Sequence, residues 1–333
     1  MTDSICPAAL SRGADWHILG GRALKTPSPF GVMGIVNLTP DSFYDGGRHN
    51  APASGLNHAL TLRNQGADIL DLGAESSRPG AAELPPQQET ERLLPVLTGL
   101  RQSAPGAVIS VDTYHAATAA AVLDMGAAII NDISACAFDP ALLDVLVQYK
   151  PGYVLMHSQG RPQTMQHDPR YTDVRREVLE FFEREMSRMV RAGLPENRIV
   201  LDPGIGFGKT LEHNLALLAH PEDLLALGRP VLMALSMKSV FGGLLGLPPQ
   251  ERGLATATAT AMLRGKGVFW HRVHDVVAAR QAMTVALALE ANEDSNRQRL
   301  RVCRYGAIFF NAPIHWNAAH HVGLQLTFDM GFD

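Results

Sequence analysis

The sequence predicts an α/β fold, a closed (β/α)8 TIM barrel in a single domain with a C-terminal extension, and three observations carry that prediction. Eight short apolar runs each empty into a polar cluster, helix-length segments separate the runs, and the units fill residues 30 to 291, close to the ~250 residues typical of such a barrel. Short continuous apolar runs are how strands buried on both faces read, which is the condition of a parallel sheet covered by helices. An open doubly wound sheet is the competing architecture, since it too binds ligands at strand ends. Eight regular units favour closure, and closure brings all eight polar clusters to one mouth.

The first run, Phe30-Gly-Val-Met-Gly-Ile-Val36, leads into Asn37-Leu-Thr-Pro-Asp-Ser-Phe43 and on to Asp45-Gly-Gly47. Pro40 fixes a turn there, the glycines supply permissive backbone, and Asn37, Asp41 and Asp45 are oxygen donors suited to a hard cation such as Mg²⁺. Taken alone, the stretch also reads as an ordinary surface turn. Residues 68–72 lead into Glu75-Ser-Ser-Arg-Pro-Gly80, 107–111 into Asp112-Thr113, 128–130 into Asn131-Asp132, and 153–156 into His157. Residues 198–201 meet Asp202-Pro-Gly-Ile-Gly-Phe-Gly-Lys209, 230–233 meet Ser236-Met-Lys-Ser239, and 267–270 meet Arg272-Val-His-Asp275. Helices are predicted over 54–65, 87–102, 115–125, 139–149, 173–192, 212–227 and 275–291. The Ala/Thr alternation at 255–261 reads as a buried helix of small residues.

Composition narrows the function classes. A net charge of −4 argues against nucleic acid or an anionic membrane as the main partner, and 46% hydrophobic content can fill a large core. No run approaches the ~18 apolar residues of a membrane span, and the first residues lack a secretory apolar stretch, so a cytoplasmic protein is expected. Cys6, Cys136 and Cys303 have no metal or disulfide spacing. The run Gly204-Ile-Gly-Phe-Gly-Lys-Thr210 resembles a phosphate loop, but the motif needs glycine where Pro203 stands, and a dinucleotide fingerprint needs its third glycine at Lys209. Residues 1–29 form a lead-in and 30–291 the barrel. The extension, 292–333, has a charged, solvated start at 293–301, two apolar runs at 307–310 and 322–328, and three histidines, His315, His320 and His321, without a metal-binding context.

In order along the chain, Asn37-Leu-Thr-Pro-Asp-Ser-Phe43, Glu75-Ser-Ser-Arg-Pro-Gly80, Ser110-Val-Asp-Thr113, Ile130-Asn-Asp132, Asp202-Pro-Gly-Ile-Gly-Phe-Gly-Lys209, Ser236-Met-Lys-Ser239 and Arg272-Val-His-Asp275 resemble the successive motifs of the dihydropteroate synthases. The resemblance covers about residues 16 to 291. It implies a Mg²⁺-dependent transferase of folate biosynthesis, a sulfonamide target and a homodimer, which condenses 6-hydroxymethyl-7,8-dihydropterin diphosphate with 4-aminobenzoate to 7,8-dihydropteroate and diphosphate. Carried over residue by residue, it assigns the pterin diphosphate to Ser77, Asp112, Asn131, Asp202, Lys238, Arg272, Val273 and His274. It assigns 4-aminobenzoate to Phe43, Ser77, Arg78, Pro79, Phe207 and Ser239, the metal to Asn37, and catalytic roles to Asp41, Asp45, Arg78, Lys238, Arg272 and His274. These types suit the chemistry. A buried pterin edge needs matching donors and acceptors, and a departing diphosphate needs cations.

Plainer readings stand beside this one: Asp202 capping its glycine-rich turn, Lys238 as an exposed lysine at a helix start, and Arg272 paired with Asp275. At the level of function, a methyltetrahydrofolate methyltransferase, a pterin-binding paralogue without turnover, and an assembly protein using the extension are the alternatives. The chain departs from the family's usual pattern at Met237, where Ser-Arg-Lys-Ser is common, and at Ala74, Ser77, Ser158 and Ala234. Met237 is the largest departure, since a thioether cannot hydrogen bond as a guanidinium does.

Overall fold

The computed structural model describes residues 15–25, 29–39, 51–75 and 83–305. The chain divides into two units, Met1–Glu290 and Ala291–Asp333. The first opens with a hairpin, β1 (Trp16–His17) and β2 (Ala23–Leu24), paired antiparallel. The barrel follows as β3 (Gly31–Asn37), α1 (Ala51–Asn64), β4 (Ile69–Gly73), α2 (Pro86–Ser103), β5 (Val108–Asp112), α3 (Ala116–Asp124), β6 (Ile129–Asp132), α4 (Leu142–Tyr149), β7 (Gly152–Met156) and α5 (Val174–Ala192). It continues with β8 (Ile199–Asp202), α6 (Leu211–Ala219), α7 (Pro221–Leu225), β9 (Leu232–Met233), α8 (Ser239–Leu245), α9 (Gly253–Gly265), β10 (Trp270–Val273) and α10 (Val276–Tyr305).

The eight barrel strands run parallel in the order β8-β7-β6-β5-β4-β3-β10-β9. A parallel bridge between Leu201 and Val231, with Leu201 N donating to Pro230 O at 2.9 Å, joins β8 to the approach of β9 and closes the ring. This is the predicted (β/α)8 barrel.

Strand residues alternate between the barrel interior and the helix layer. One inward residue from every strand, Met33, Ile69, Val108, Ile129, Val154, Val200, Leu232 and Trp270, forms an apolar layer at the N-terminal end. Trp16 and Ile18 of the hairpin segment plug it from below. Trp16 meets Trp270 edge-on with centroids 5.6 Å apart, and its indole N–H donates to Arg198 O at 2.8 Å. Gly31 is required here, because a Cβ on it would lie 2.3 Å from the Trp270 ring. Outward residues such as Val32, Leu70, Ile109, Tyr153 and Leu201 pack under the helices. Apolar filling at one end leaves the positions two and four residues further along the strands, where most of the inward polar residues stand, for the other.

Some expected elements differ in extent. The helix expected over 212–227 is two helices, because Pro221 has no N–H to continue the ladder and starts α7. The last helix, expected to stop at 291, reaches Tyr305; its continuation carries four arginines together with Glu293, Gln298 and Leu300, all good helix formers, and has no glycine or proline to end it. Within the lead-in, residues 16–24 form the β1–β2 hairpin, which no sequence pattern announced. In α9 the buried residues are Thr256, Thr260 and Leu263, while Leu254 and Met262 are exposed, so this helix is only partly buried. The two apolar runs of the extension and its histidines lie outside the described residues.

Candidate active site

Counting by twos from the apolar layer puts Asn37, Asp71, Ser110, Asp112, Asn131, Asp202 and Arg272 on the inward face of their strands. Register aligns them: Asn37 pairs with Gly73, Gly73 with Asp112, and Asp112 with Asn131, while Asp71 pairs with Ser110 one level deeper. The mouth is therefore lined from several strands at matched heights.

Arg272 is the hub on one side. Its Nε donates to Asp71 Oδ2 at 2.6 Å and its Nη2 to Asp112 Oδ2 at 2.7 Å. Asn131 Nδ2 donates to the same Asp71 oxygen at 3.1 Å. Burial pushes the Asp112 carboxyl up to about 7, with Arg272 opposing the shift and Asp71 adding to it. Arg272 thus pairs across the barrel and not with Asp275, whose carboxylate caps α10 by accepting from Ala278 N at 2.9 Å.

Asp202, Phe207 and Lys238 form the other side. Asp202 Oδ1 accepts from Gly204 N at 2.7 Å, so it does cap its turn, while the second oxygen takes no hydrogen bond among the described residues. Burial raises its pKa and Lys238 opposes. Lys238 is the N-cap residue of α8, yet its ammonium turns inward, donating to Ile205 O at 2.6 Å and lying 4.6 Å from the centre of the Phe207 ring. Burial lowers it to about 8, against the pull of Asp202. Phe207 packs with Tyr114, Ile133, Met156 and Met165 in an apolar wall. A Cβ on Gly206 would lie 3.6 Å from Lys238 Cδ and 3.9 Å from Ser239 Oγ, which puts Ser239 at the same wall.

The glycine-rich loop is fastened by Lys209, which sequence reasoning missed. This lysine is 3% exposed, and its ammonium reaches His157 Nδ1 at 2.9 Å and the carbonyls of Gly204 and Phe207 at 3.1 Å each. Gly204 has φ +65 and a Cβ there would meet His157 O at 1.9 Å, so only glycine fits. Just past β10, His274 Nδ1 lies 2.8 Å from Ser236 Oγ, a second missed partner. Val273 faces outward into the helix-side core, so any part it plays at the mouth is through its main chain. Met237 adopts a left-handed φ of 59; Arg252 Nη1 donates to its carbonyl at 3.1 Å.

Among the described residues, then, Asp112, Asn131 and Arg272 meet through Asp71, and Asp202, Lys238, Phe207 and Ser239 share a wall. Asn37 ends β3, half-buried. Asp41, Phe43, Asp45, Ser77, Arg78 and Pro79 lie outside the described residues.

The model of a family described as "Pterin binding enzyme" matches residues 33–274. Dihydropteroate synthase of Escherichia coli K12 is 41% identical over 280 residues, covering 83% of this chain and 97% of that protein. This chain belongs to the dihydropteroate synthase family. Its fold superposes on the Yersinia pestis dihydropteroate synthase, solved as a sulfonamide drug complex, with a TM-score of 0.77 at 40% identity over 82% of this chain and 98% of that one. The Xanthomonas albilineans synthase in complex with 7,8-dihydropteroate gives 0.73 at 37% identity, covering 82% and 99%. The pterin-binding family match, 33–274, runs from the first barrel strand to His274 and so takes in the C-terminal end of every barrel strand.

Proposed function

We propose that this chain condenses 6-hydroxymethyl-7,8-dihydropterin diphosphate with 4-aminobenzoate, forming 7,8-dihydropteroate and releasing diphosphate. The observation that carries the reading is the joined cluster of Asp71, Asp112, Asn131 and Arg272 facing Asp202 and Lys238 across one barrel mouth, in a chain of this family.

On this reading Asp202, Asn131, Asp112 and Lys238 take the 2-amino-4-oxo edge of the pterin. Asp202 suits the amine and ring N–H, because one of its oxygens is committed to the turn and the other is available. Arg272 and His274 face the diphosphate. Its departure breaks the C–O bond and leaves a pterin methylene cation, which the aniline nitrogen of 4-aminobenzoate attacks before losing a proton. A neutral aniline is already nucleophilic, so stabilising the leaving group is the larger catalytic task. Phe207 and the Lys238 stem wall the aromatic substrate with Ser239 at its edge, and Phe43, Ser77, Arg78 and Pro79 complete that pocket on the strength of the family resemblance. Asp41 and Asp45 join the catalytic set on the same ground.

Asn37 fits a magnesium ion in one way. A single neutral amide oxygen cannot hold Mg²⁺ alone, but Mg²⁺ commonly arrives on substrate phosphates and keeps several waters. Asn37 would supply one protein oxygen to such an ion, and the ion would neutralise charge on the diphosphate. The proposal includes a cytoplasmic homodimer. Exposed apolar side chains on α8 and α9, Leu244, Leu245, Leu254 and Met262, support the pairing, and sedimentation of the purified chain checks it. No helix among the described residues is long and apolar enough to cross a membrane.

The direct test is incubation of purified protein with pterin diphosphate, 4-aminobenzoate and Mg²⁺, with dihydropteroate sought by mass spectrometry. Pterin binding without product would favour a paralogue that has lost turnover.

A further inference from the structure

Arg272 makes two charge-assisted hydrogen bonds, and its two carboxylate partners differ in a way that assigns them different tasks. Asp71 is 0% exposed at its side chain and Asp112 is 17% exposed. Register places Asp71 beside Ser110, one inward level below Asp112, which pairs with Gly73 at the rim. Asp112 is thus the partner that an incoming pterin can reach, and Asp71 the one it cannot displace. A guanidinium held only by Asp112 would lose its counter-ion whenever Asp112 turned to substrate. Its place at the diphosphate would then depend on the substrate it has to bind. The same Asp71 oxygen also accepts from Asn131 Nδ2, so one buried atom ties the diphosphate side of the mouth to the pterin side.

We infer that Asp71, inside an apolar strand motif and assigned to no ligand, is the positioning residue that keeps Arg272 aimed at the diphosphate while Asp112 exchanges Arg272 for the pterin. The inference rests on the synthase reading. It predicts energetic coupling between two residues that are 201 apart in sequence.

The test is a double-variant cycle on the full chain with Asp71→Asn and Arg272→Met. Asparagine keeps the volume and one acceptor oxygen for Asn131 but removes the charge that Arg272 needs. Asp71→Asn should lower kcat/KM for pterin diphosphate by about 30-fold or more and weaken binding of inorganic diphosphate by about 10-fold, with affinity for a diphosphate-free pterin changed less than about 3-fold. In the Asp71→Asn background, Arg272→Met should cost less than about 3-fold further, because the buried carboxylate that aims Arg272 is already gone. A merely structural Asp71 would lower the melting temperature and leave the two effects multiplicative.

If Asp71→Asn alone fails to fold, the double variant, which removes the Asp71–Arg272 pair together and leaves only the partly exposed Asp112, should fold and match Arg272→Met alone. Near-wild-type kcat/KM in Asp71→Asn, or multiplicative effects, would overturn the inference while leaving the synthase reading intact. Coupling seen in diphosphate binding by calorimetry, with no product from the wild type, would do the reverse.

Discussion

Asp202 holds its turn with one oxygen and faces the barrel interior from 2% exposure, so the pterin's amine and ring N–H have no nearby water to fall back on if it is removed. Asp202→Ala should weaken pterin binding by about 2–4 kcal/mol, read by calorimetry, because two donors on the ligand are left buried and unpaired. Unchanged affinity would take Asp202 out of the site. Asp112 adds a pH dependence. Its carboxyl is pushed up to about 7, so it is ionised above that pH and neutral below, and only the ionised form balances Arg272 or accepts from two pterin donors. The kcat/KM for pterin diphosphate should therefore fall as pH drops through about 7, and Asp112→Asn should lower the plateau and abolish that limb. A limb that survives the substitution belongs to another group. Met237 is held by α9 and its N-cap residue, with its N–H on Thr256 Oγ1 at 3.3 Å and its carbonyl on Arg252, while the adjacent Lys238 keeps its contacts with Ile205 and Phe207. Met237→Arg should accordingly change kcat/KM for 4-aminobenzoate by less than about 10-fold; a gain of ~100-fold, about 2.7 kcal/mol, would mark a chain that has lost most of its turnover. Residues of this kind differ in how legible they are. Asn37, Asp112, Asn131, Asp202 and Arg272 end or nearly end apolar strands, where a polar side chain stands out. In the sequence Asp71 reads as part of the apolar run 68–72, although a carboxylate on a strand buried on both faces always needs a partner. Its partner was invisible because only closure of the barrel brings Arg272 beside it.

At the scale of elements, the loop from Asp202 to Lys209 does the most to shape the site, since it carries Asp202 and Phe207 and receives the Lys238 ammonium on Ile205 O. Lys209 ties the loop's Gly204 and Phe207 carbonyls to the His157 ring, and Gly204 fits closely against the His157 carbonyl. Lys209→Met keeps the stem but strands the Phe207 carbonyl and the His157 ring nitrogen, and leaves Gly204 O with the Phe207 N–H alone. Stability should fall by roughly 2–4 kcal/mol in denaturant titration, with both substrates bound more weakly because one loop serves both. An unchanged midpoint would mean that the loop stands without its clamp. The apolar runs made this element's strand legible, and the glycines made its turn legible. The lysine's role was hidden, because a Lys after glycines reads equally well as a solvated loop residue. Likewise Pro221 marked the division of α6 from α7, and reading past it merged two helices.

For the whole molecule, the eight-fold alternation of apolar run and helix favoured the barrel over an open doubly wound sheet, because eight regular βα units at this spacing suit a closed ring, and the ring is what the strand order and the bridge from Leu201 to Val231 show. The plug at its base was not legible: Trp16 and Ile18 sit in a two-residue strand and its loop, far too short for periodicity to register, and their worth comes from covering Trp270. The mouth was legible as a set. Single residues there admit plain readings, and Asp202 shows one of them to be partly true, but the joint placement of Asp112, Asn131, Asp202, Lys238 and Arg272 at one end of one barrel has a chemical reading that none has alone. The central claim is that this mouth makes dihydropteroate, and the measurement closest to it is steady-state formation of 7,8-dihydropteroate by the wild-type chain beside Asp202→Ala and Arg272→Met. The account predicts product from the wild type and a loss of about 100-fold or more in kcat/KM in each variant. Product formation that survives both substitutions, or none from a wild-type chain that binds both substrates, would contradict it.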